Sequence, residues 1–205
     1  MEQPKITDTT ATQVFWTNRY QEGRTGWDIG YPSTPIKDYI DQLTNKNIRV
    51  LIPGAGNAYE AAYLFRQGFP STFVLDIVSA PLAHFAADYP DFPASQLLHE
   101  NFFTHQGQYD LILEQTFFCS FPPTRKNRQA YAQKVHELLV PGGKLVGLWF
   151  TFPLNYEQGG PPFGGSIAEY KDYFGSLFDI QVFEEAYNSI KPRRGNEAFA
   201  ILQKR

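Results

Sequence analysis

Two glycines and an aspartate follow two apolar runs of the chain at a spacing typical of a nucleoside site. Gly54 and Gly56 come directly after the run at 48–52, and Asp76 follows the run at 72–75. Glycines in a strand-to-helix turn let the backbone approach a ligand closely. An acidic residue about 20 positions further on is placed to bind a pair of ribose hydroxyls. The pattern favours a nucleoside ligand over an ordinary tight turn.

The third glycine position of the dinucleotide fingerprint is occupied by Tyr59. A bulky residue there opposes the pyrophosphate contact and the close helix packing that NAD and FAD require. S-adenosyl-L-methionine (SAM) carries no phosphate and does not depend on that glycine. The sequence therefore favours SAM as the cofactor.

An aromatic segment precedes the first apolar run and contains Trp16, Tyr20 and Trp27. Trp16 and Tyr20 are four residues apart, so on a helix they share one face. Aromatic faces attract cations, and the sulfonium of SAM is a cation. Two interpretations of Trp16 and Tyr20 stay open, a cofactor lid and a helix that only covers the sheet. Trp27 lies in a glycine-rich loop, which favours a lid.

Apolar runs alternate with helical patterns along the rest of the chain. Strands are predicted at 48–52, 72–75, 95–99, 109–113, 144–150, 181–184 and 198–202, and helices from 57, from 79, at 125–140 and at 167–174. Asn57 with Glu60 resembles a capping box, Ser79 is predicted to cap the second of these helices, and Pro141-Gly142-Gly143 is expected to end the third. The pattern predicts an α/β fold, a Rossmann-like, mostly parallel sheet of seven strands with helices on both faces and an antiparallel hairpin at one edge.

Ligands of such sheets bind at the carboxyl ends of the strands. Two further pairs of residues follow the third and fourth predicted strands, namely Asn101-Phe102 and Glu114-Gln115. They are expected to complete the site with the glycines and Asp76.

Length and charge limit the function classes. The 205 residues predict a single domain, with residues 1–45 as an aromatic cap and 46–205 as the core. A net charge of -3 argues against a nucleic-acid surface, and the basic group Lys191, Arg193 and Arg194 is expected to be a solvated loop. No apolar run approaches the roughly 20 residues of a membrane span, and the N-terminus lacks a signal-peptide pattern, so a cytoplasmic protein is expected.

Cysteine and histidine usage predicts no metal site. The single cysteine, Cys119, lies in an apolar run and is expected to be a buried packing residue. The four histidines are scattered without ligand spacing.

With these residues in hand, the chain resembles the thiopurine methyltransferase superfamily, and within it the thiol and halide methyltransferases. The matching segments run from the N-terminus to beyond the fifth predicted strand, and they are Trp16…Tyr20…Trp27-Asp28-x-Gly30, Pro53-Gly54-Ala55-Gly56, Leu75-Asp76, Phe117-Phe118-Cys119, Pro141-Gly142-Gly143 and Gly159-Gly160-Pro161-Pro162-Phe163.

The resemblance implies a role for each site residue. Trp16, Tyr20 and Trp27 would close over SAM. Gly54 would lie beside its methionine part, Asp76 would bind the ribose, and Asn101 and Phe102 would flank the adenine. Glu114 and Gln115 match positions near the methionine end.

The chain departs from the family pattern at several positions. Asn101 stands where an aspartate is common, Tyr20 where the halide group often has tryptophan, and Gln115 where thiopurine enzymes have arginine. Phe150 lies in the segment where thiol and halide enzymes carry a substrate-side tyrosine. The acceptor is therefore left open.

Methyl transfer from a sulfonium is an in-line displacement that mainly requires alignment and exclusion of water. An anionic acceptor such as a thiolate, hydrosulfide, thiocyanate or halide requires no base. For a neutral thiol, Glu114 could accept the proton, so Glu114 and Phe150 are the catalytic candidates. The expected partner is a small-molecule methyl acceptor, with the protein a monomer or weak homodimer. Two alternatives stay open, an NAD(P)-dependent oxidoreductase and a SAM-binding protein without catalysis.

Overall fold

The computed structural model describes residues 9–155 and 160–205. Its sheet has seven strands in the order β3-β2-β1-β4-β5-β7-β6. The strands are β1 (Val50–Pro53), β2 (Thr72–Asp76), β3 (Leu97–His99), β4 (Tyr109–Gln115), β5 (Leu139–Phe150), β6 (Phe178–Glu185) and β7 (Glu197–Lys204). Strands β1 to β5 are parallel, whereas β7 is antiparallel to both β5 and β6. The predicted mostly parallel sheet with an antiparallel hairpin at one edge is confirmed.

Six helices accompany the sheet in the described part of the chain. They are α1 (Thr9–Gln21), α2 (Thr34–Asp41), α3 (Tyr59–Arg66), α4 (Ser79–Asp88), α5 (Arg125–Leu138) and α6 (Ile167–Phe174). None of the described helices combines the length and the apolar character that crossing a membrane requires.

Two apolar cores cover the two faces of the sheet. Along β4, Leu111 and Leu113 belong to the core under α2, α3 and α4, whereas Ile112 belongs to the core under α5 and α6. Successive side chains of a strand point to opposite faces, so a continuous apolar strand contributes side chains to both cores. This double burial fixes the register of β4 and thereby the position of Glu114 and Gln115 at its end.

The predicted capping box at Asn57 is wrong. Helix α3 begins at Tyr59, and its N-cap residue is Ala58, which has a left-handed φ of 53°. The Asn57 amide instead donates to Asp28 Oδ2 at 2.6 Å, and Glu60 accepts from the Ser33 backbone N–H at 2.9 Å. The polar side chains that the sequence pattern assigned to the cap therefore bind the N-terminal segment to the first strand-to-helix turn.

Two other predicted helix ends shift. Val78 is the N-cap residue of α4, so Ser79 opens the helix and does not cap it. Helix α5 ends at Leu138, and Pro141, Gly142 and Gly143 belong to the first part of β5. The glycine pair lies where the register of β4 against β5 shifts between Tyr109 and Leu111. Proline and glycine are tolerated at such an irregular strand start, although they weaken a regular strand.

Candidate functional site

A cavity of about 430 Å³ opens at the carboxyl ends of the parallel strands. Seven of the residues predicted to bind SAM line it, and they are Trp16, Tyr20, Trp27, Gly54, Asp76, Asn101 and Phe102. Phe150, a catalytic candidate, lines it too. A smaller cavity of about 50 Å³ shares Trp27, Gly54 and Thr116 with the first and is lined by Gly56, Glu114 and Gln115. The sheet topology thus gathers every predicted site residue around two adjoining cavities.

Asp76 is fixed at the end of β2 by the backbone of two turns. Its Oδ2 accepts from Gly56 N–H at 3.0 Å, and its Oδ1 accepts from Val78 N–H at 2.8 Å. Burial raises the pKa of the Asp76 carboxyl, and the N–H groups of Val78 and Gly56 oppose that rise. Each carboxylate oxygen can accept more than one hydrogen bond, so this side chain is suited to a pair of ligand hydroxyls.

The first strand-to-helix turn is shaped by glycines that no other residue could replace without movement. Gly54 has a φ of +58°, and a Cβ added to it would lie 2.0 Å from Phe117 Cδ2. Gly56 has a φ of +53°, and a Cβ there would lie 3.1 Å from Tyr20 Oη. The backbone of this turn therefore packs closely between the aromatic cap and Phe117, which side chains at these two positions would prevent.

Helix α1 and the loop after it form a lid of interlocked aromatic rings. The centroid of Trp27 lies 5.4 Å from that of Trp16 and 5.5 Å from that of Tyr20, and both pairs meet edge to face. The N-terminal end of α1 is held to the core because the Asn101 amide donates to Thr9 Oγ1 at 2.8 Å. Rings that present both faces and edges to a cavity suit a sulfonium and a purine.

Glu114 stabilises the turn that follows β4. Its Oε1 accepts from the backbone N–H groups of Phe117 at 2.8 Å and of Phe118 at 2.9 Å. Its Oε2 is buried, with no hydrogen-bond partner among the described residues. Burial raises the pKa of this carboxyl to about 8, against the opposing effect of the two N–H donors. Glu114 borders the smaller cavity and does not line the larger one. Its hydrogen bonds position Phe117, which does line the larger cavity, so Glu114 shapes that wall indirectly.

Arg193 is a charged residue of the cavity wall that the sequence pattern did not assign to the site. The expected solvated loop is wrong for this residue, since Arg193 is only 8% exposed, although Lys191 and Arg194 are exposed. Its Nη2 donates to the Trp27 carbonyl at 2.7 Å, and its Nη1 lies 3.3 Å from Glu197 Oε1. The guanidinium carbon lies 5.5 Å from the centroid of the Phe150 ring. The buried guanidinium thus connects the lid, β7 and the end of β5. In the sequence, Glu197 four positions later was the one sign that Arg193 forms an ion pair.

Gln115 extends this buried polar group. With its amide oriented so that both ends have partners, Gln115 donates to Glu60 Oε1 at 2.6 Å and accepts from Arg193 Nη1 at 3.1 Å. Gln115 therefore links the end of β4 to Arg193, and its side chain is engaged by the protein itself.

The remaining wall of the larger cavity is aromatic and apolar. It contains Phe103, Phe117, Phe121, Cys119, Pro161 and Pro162. Cys119 is buried, as predicted, and burial raises the pKa of its thiol well above the ordinary value. Gly159 of the family motif lies outside the described residues. Phe163 N–H donates to the Cys119 carbonyl at 2.8 Å, which anchors the proline pair beside Cys119.

Within the described ranges, no group of three or more His, Cys, Asp or Glu side chains is arranged to hold a metal ion.

Comparisons with known proteins converge on one family. Residues 11–204 match the family described as Thiopurine S-methyltransferase (TPMT). The chain is 32% identical over 197 residues to "Probable thiol methyltransferase 2" of Arabidopsis thaliana, covering 92% of this chain and 84% of that protein. It is 29% identical over 211 residues to "Thiocyanate methyltransferase 1" of Brassica oleracea, covering 99% of this chain and 90% of the relative.

A solved structure shows the same fold. The 1,6-didemethyltoxoflavin-N1-methyltransferase of Burkholderia thailandensis, crystallised with 1,6-didemethyltoxoflavin and S-adenosylhomocysteine, superimposes with a TM-score of 0.76. The superposition covers 94% of this chain and 86% of that one, at 17% sequence identity.

Proposed function

Because the chain belongs to the thiopurine S-methyltransferase family and is a SAM-dependent methyltransferase, we propose that it methylates the sulfur of a small anionic acceptor, with halide as a second acceptor type. The family membership confirms the resemblance found in the sequence and removes the oxidoreductase alternative. One observation carries the proposal. The larger cavity is lined both by the Asp76 carboxylate and by an aromatic wall that includes buried Arg193.

The residues of the cavity fit SAM. We propose that Asp76 binds the ribose hydroxyls and that Asn101 and Phe102 flank the adenine. Gly54, Gly56, Glu114 and Gln115 form the methionine side, around the smaller cavity. Trp16, Tyr20 and Trp27 cover the cofactor. The narrow turn at Gly54 and the two fixed oxygens of Asp76 support this placement.

The chemistry supplied by SAM is an electrophilic methyl group on a positively charged sulfur. With SAM bound, the acceptor's sulfur would take this methyl group, and the electron pair of the broken bond would stay on the sulfur of the cofactor. The chain's own part is to align the acceptor, to exclude water and to cover the sulfonium with rings. Positive and negative charge cancel along this path, so a dry, aromatic site assists it.

The acceptor end favours an anion. Arg193 places a guanidinium against Phe150, the residue that ends β5 and lines the cavity. A cation at the wall stabilises a thiolate or thiocyanate, and the surrounding rings suit polarisable sulfur. Glu114 accepts no proton in this scheme, because a carboxyl with a pKa of about 8 is largely protonated at neutral pH.

The proposal also covers the domain organisation, the oligomeric state and the cellular location. We propose that residues 1–45 and 46–205 act as cap and core of one domain, that the protein works as a monomer or weak homodimer, and that it acts in the cytoplasm on small molecules rather than at nucleic acid or membranes. The net charge of -3 supports this assignment, and light scattering at several concentrations tests the oligomeric state.

An acceptor panel tests the proposed function. Hydrosulfide, thiocyanate, thiophenol and iodide are offered with SAM, beside aniline and phenol as nitrogen and oxygen analogues of thiophenol. Turnover of the sulfur acceptors, with iodide slower, is the expected result. Turnover of aniline or phenol in preference to thiophenol contradicts the proposal.

A pair of arginine variants tests the proposed anion site. Arg193→Met is expected to lower kcat/KM for the anions about 10- to 100-fold, as loss of a charge-assisted hydrogen bond does. Arg194→Met, at the exposed neighbouring position, is the matched control. Thermal unfolding of both variants separates lost binding from lost folding. An equal effect of the two substitutions in folded protein contradicts a role for Arg193.

A further inference from the structure

One face of helix α1 lines the large cavity with a threonine, two aromatic rings and an arginine. Thr12, Trp16, Arg19 and Tyr20 line the cavity from this helix. Thr12 Oγ1 and Arg19 Nε are buried and make no hydrogen bond within residues 9–155 and 160–205. Of these four side chains, Arg19 carries a formal charge, so it is the one that can attract an ionised group of a ligand in the cavity.

Arg19 is a cation without a neighbouring carboxylate partner in the described ranges. Its guanidinium carbon lies 4.9 Å from the Phe15 ring centroid and 5.9 Å from the Trp16 ring centroid. Glu22, the nearby acid, forms its ion pair with Arg24. Burial and, to a smaller extent, the charge of Arg24 lower the pKa of Arg19, and the weaker attraction of Glu22 opposes them. The rings hold the guanidinium in place but do not supply the carboxylate of an ion pair.

The position of Arg19 along α1 places it away from the adenine side. Thr9 bonds to Asn101, and the Gln13 side chain contacts His99 at 3.2 Å, so the first turns of α1 lie over the end of β3. Arg19 is seven residues beyond Thr12, which is about 10 Å along a helix. The next residue, Tyr20, reaches Gly56 in the first strand-to-helix turn.

We infer that Arg19 is a specificity residue that binds a carboxylate of the methyl acceptor, so that the preferred acceptors are thiols carrying an anionic group remote from the sulfur. This inference rests on the proposed function, sulfur methylation in the same cavity. The carboxylate of SAM itself belongs with the methionine part, which is assigned to the smaller cavity, and Arg19 does not line that cavity.

The acceptor is not altered at this second group. Its sulfur receives the methyl group, its carboxylate remains ionised throughout, and Arg19 only fixes the orientation of the molecule. A guanidinium binds a carboxylate through two parallel N–H groups, which a lysine at the same position cannot reproduce. Substitution by lysine should therefore retain attraction and lose part of the alignment.

Matched pairs of acceptors test the inference. Thiophenol is compared with 3- and 4-mercaptobenzoate, and 1-propanethiol with 3-mercaptopropionate, using the full chain and saturating SAM. In the unmodified protein, at least one carboxylate-bearing thiol should exceed its neutral partner in kcat/KM by about 10-fold or more. Arg19→Met should remove that preference while leaving the neutral thiols within about threefold, and Arg19→Lys should restore part of it. Arg125→Met, an exposed arginine on α5, is the control that should change neither member of a pair.

Three results would overturn the inference. Equal kcat/KM values within every pair would show that no remote carboxylate is recognised. An Arg19→Met variant that keeps the preference would assign it to another residue. A raised KM for SAM in Arg19→Met, with neutral and charged thiols affected alike, would assign Arg19 to the carboxylate of the cofactor.

Binding of methylated products separates this inference from the proposed function. Calorimetry with S-adenosylhomocysteine present compares 4-(methylthio)benzoate with thioanisole, and no turnover is needed. Tighter binding of the charged product, lost in Arg19→Met, supports the arginine's role even if no thiol in the panel is methylated. Equal binding of both products counts against Arg19 even if thiols are methylated.

Discussion

Replacing Glu114 with glutamine should make the stability of the protein less sensitive to pH between about 4.5 and 8 without abolishing catalysis. Burial raises the pKa of Glu114 from 4.5 to about 8, and a glutamine oxygen can accept the same N–H groups of Phe117 and Phe118. Because the folded-state pKa lies above the unfolded value, the folded protein holds a proton that the unfolded chain releases between these two values. Stability contributed by the protonated carboxyl is complete below pH 4.5 and is lost as pH rises toward about 8.

The magnitude follows from the two pKa values. Inside that window one extra bound proton changes the free energy of unfolding by about 1.4 kcal/mol per pH unit. From about pH 5.5 to about pH 7.5, the Glu114→Gln variant should gain at most about 3 kcal/mol relative to the unmodified protein. A glutamine N–H without a partner adds a pH-independent penalty of roughly 1–3 kcal/mol. Other buried carboxyls, such as Asp76 and Glu197, occur in both proteins and cancel in the difference.

Urea unfolding followed by tryptophan fluorescence measures this difference across the pH range. Glu137→Gln, at an exposed position of α5, is the control, and its curve should run parallel to that of the unmodified protein. Turnover at neutral pH is measured on the same samples, because a general base would cost about 10²- to 10⁴-fold in kcat when removed. Parallel stability curves for Glu114→Gln, or a loss of kcat in that range with folding intact, would refute the assignment.

Three further perturbations test the site. Asp76→Ala should weaken SAM binding about 10- to 100-fold in a calorimetric titration, because two fixed acceptor oxygens are lost, and near-normal affinity would contradict the ribose assignment. Gly54→Ala should abolish SAM binding or folding, since its Cβ would fall 2.0 Å from Phe117 Cδ2, whereas Gly68→Ala, with a positive φ and nothing within 4 Å, should cost only about 1 kcal/mol of stability by chemical denaturation. Cys119 should resist alkylation by iodoacetamide at pH 8 in the folded protein and react fully in urea, as mass spectrometry would show, because burial raises the pKa of its thiol; rapid reaction in the folded state would contradict this.

The fold was predictable because its signals are local and periodic. Continuous apolar runs marked the buried strands, and Gly54, Gly56 and Asp76 marked the turn and strand end that line the two cavities. The boundaries were less accurate because tertiary contacts override local preference. Asn57 bonds to Asp28 instead of capping α3, and the glycine pair after Pro141 enters a strand because β4 is there to pair with it.

Arg193 shows what the sequence could not reveal. Beside Lys191 and Arg194 it reads as part of a basic surface loop, and only the folded chain brings it to the Trp27 carbonyl, 166 residues away in sequence. The unpartnered Nε of Arg19 has the same character, since burial of one atom depends on packing and not on residue type. Residue type and spacing thus named most residues of the proposed cofactor side, whereas the polar residues of the proposed acceptor side required the structure.

The most direct test of the central claim is the stoichiometry of methyl transfer. SAM labelled with ¹³C at the methyl group is incubated with thiophenol or hydrosulfide, and S-adenosylhomocysteine and the methylated product are quantified by mass spectrometry. A SAM-dependent sulfur methyltransferase should form one labelled thioether for each S-adenosylhomocysteine, with Asp76→Ala sharply reduced at limiting SAM. SAM bound by the protein, with neither product formed from any sulfur acceptor or halide offered, would contradict the account.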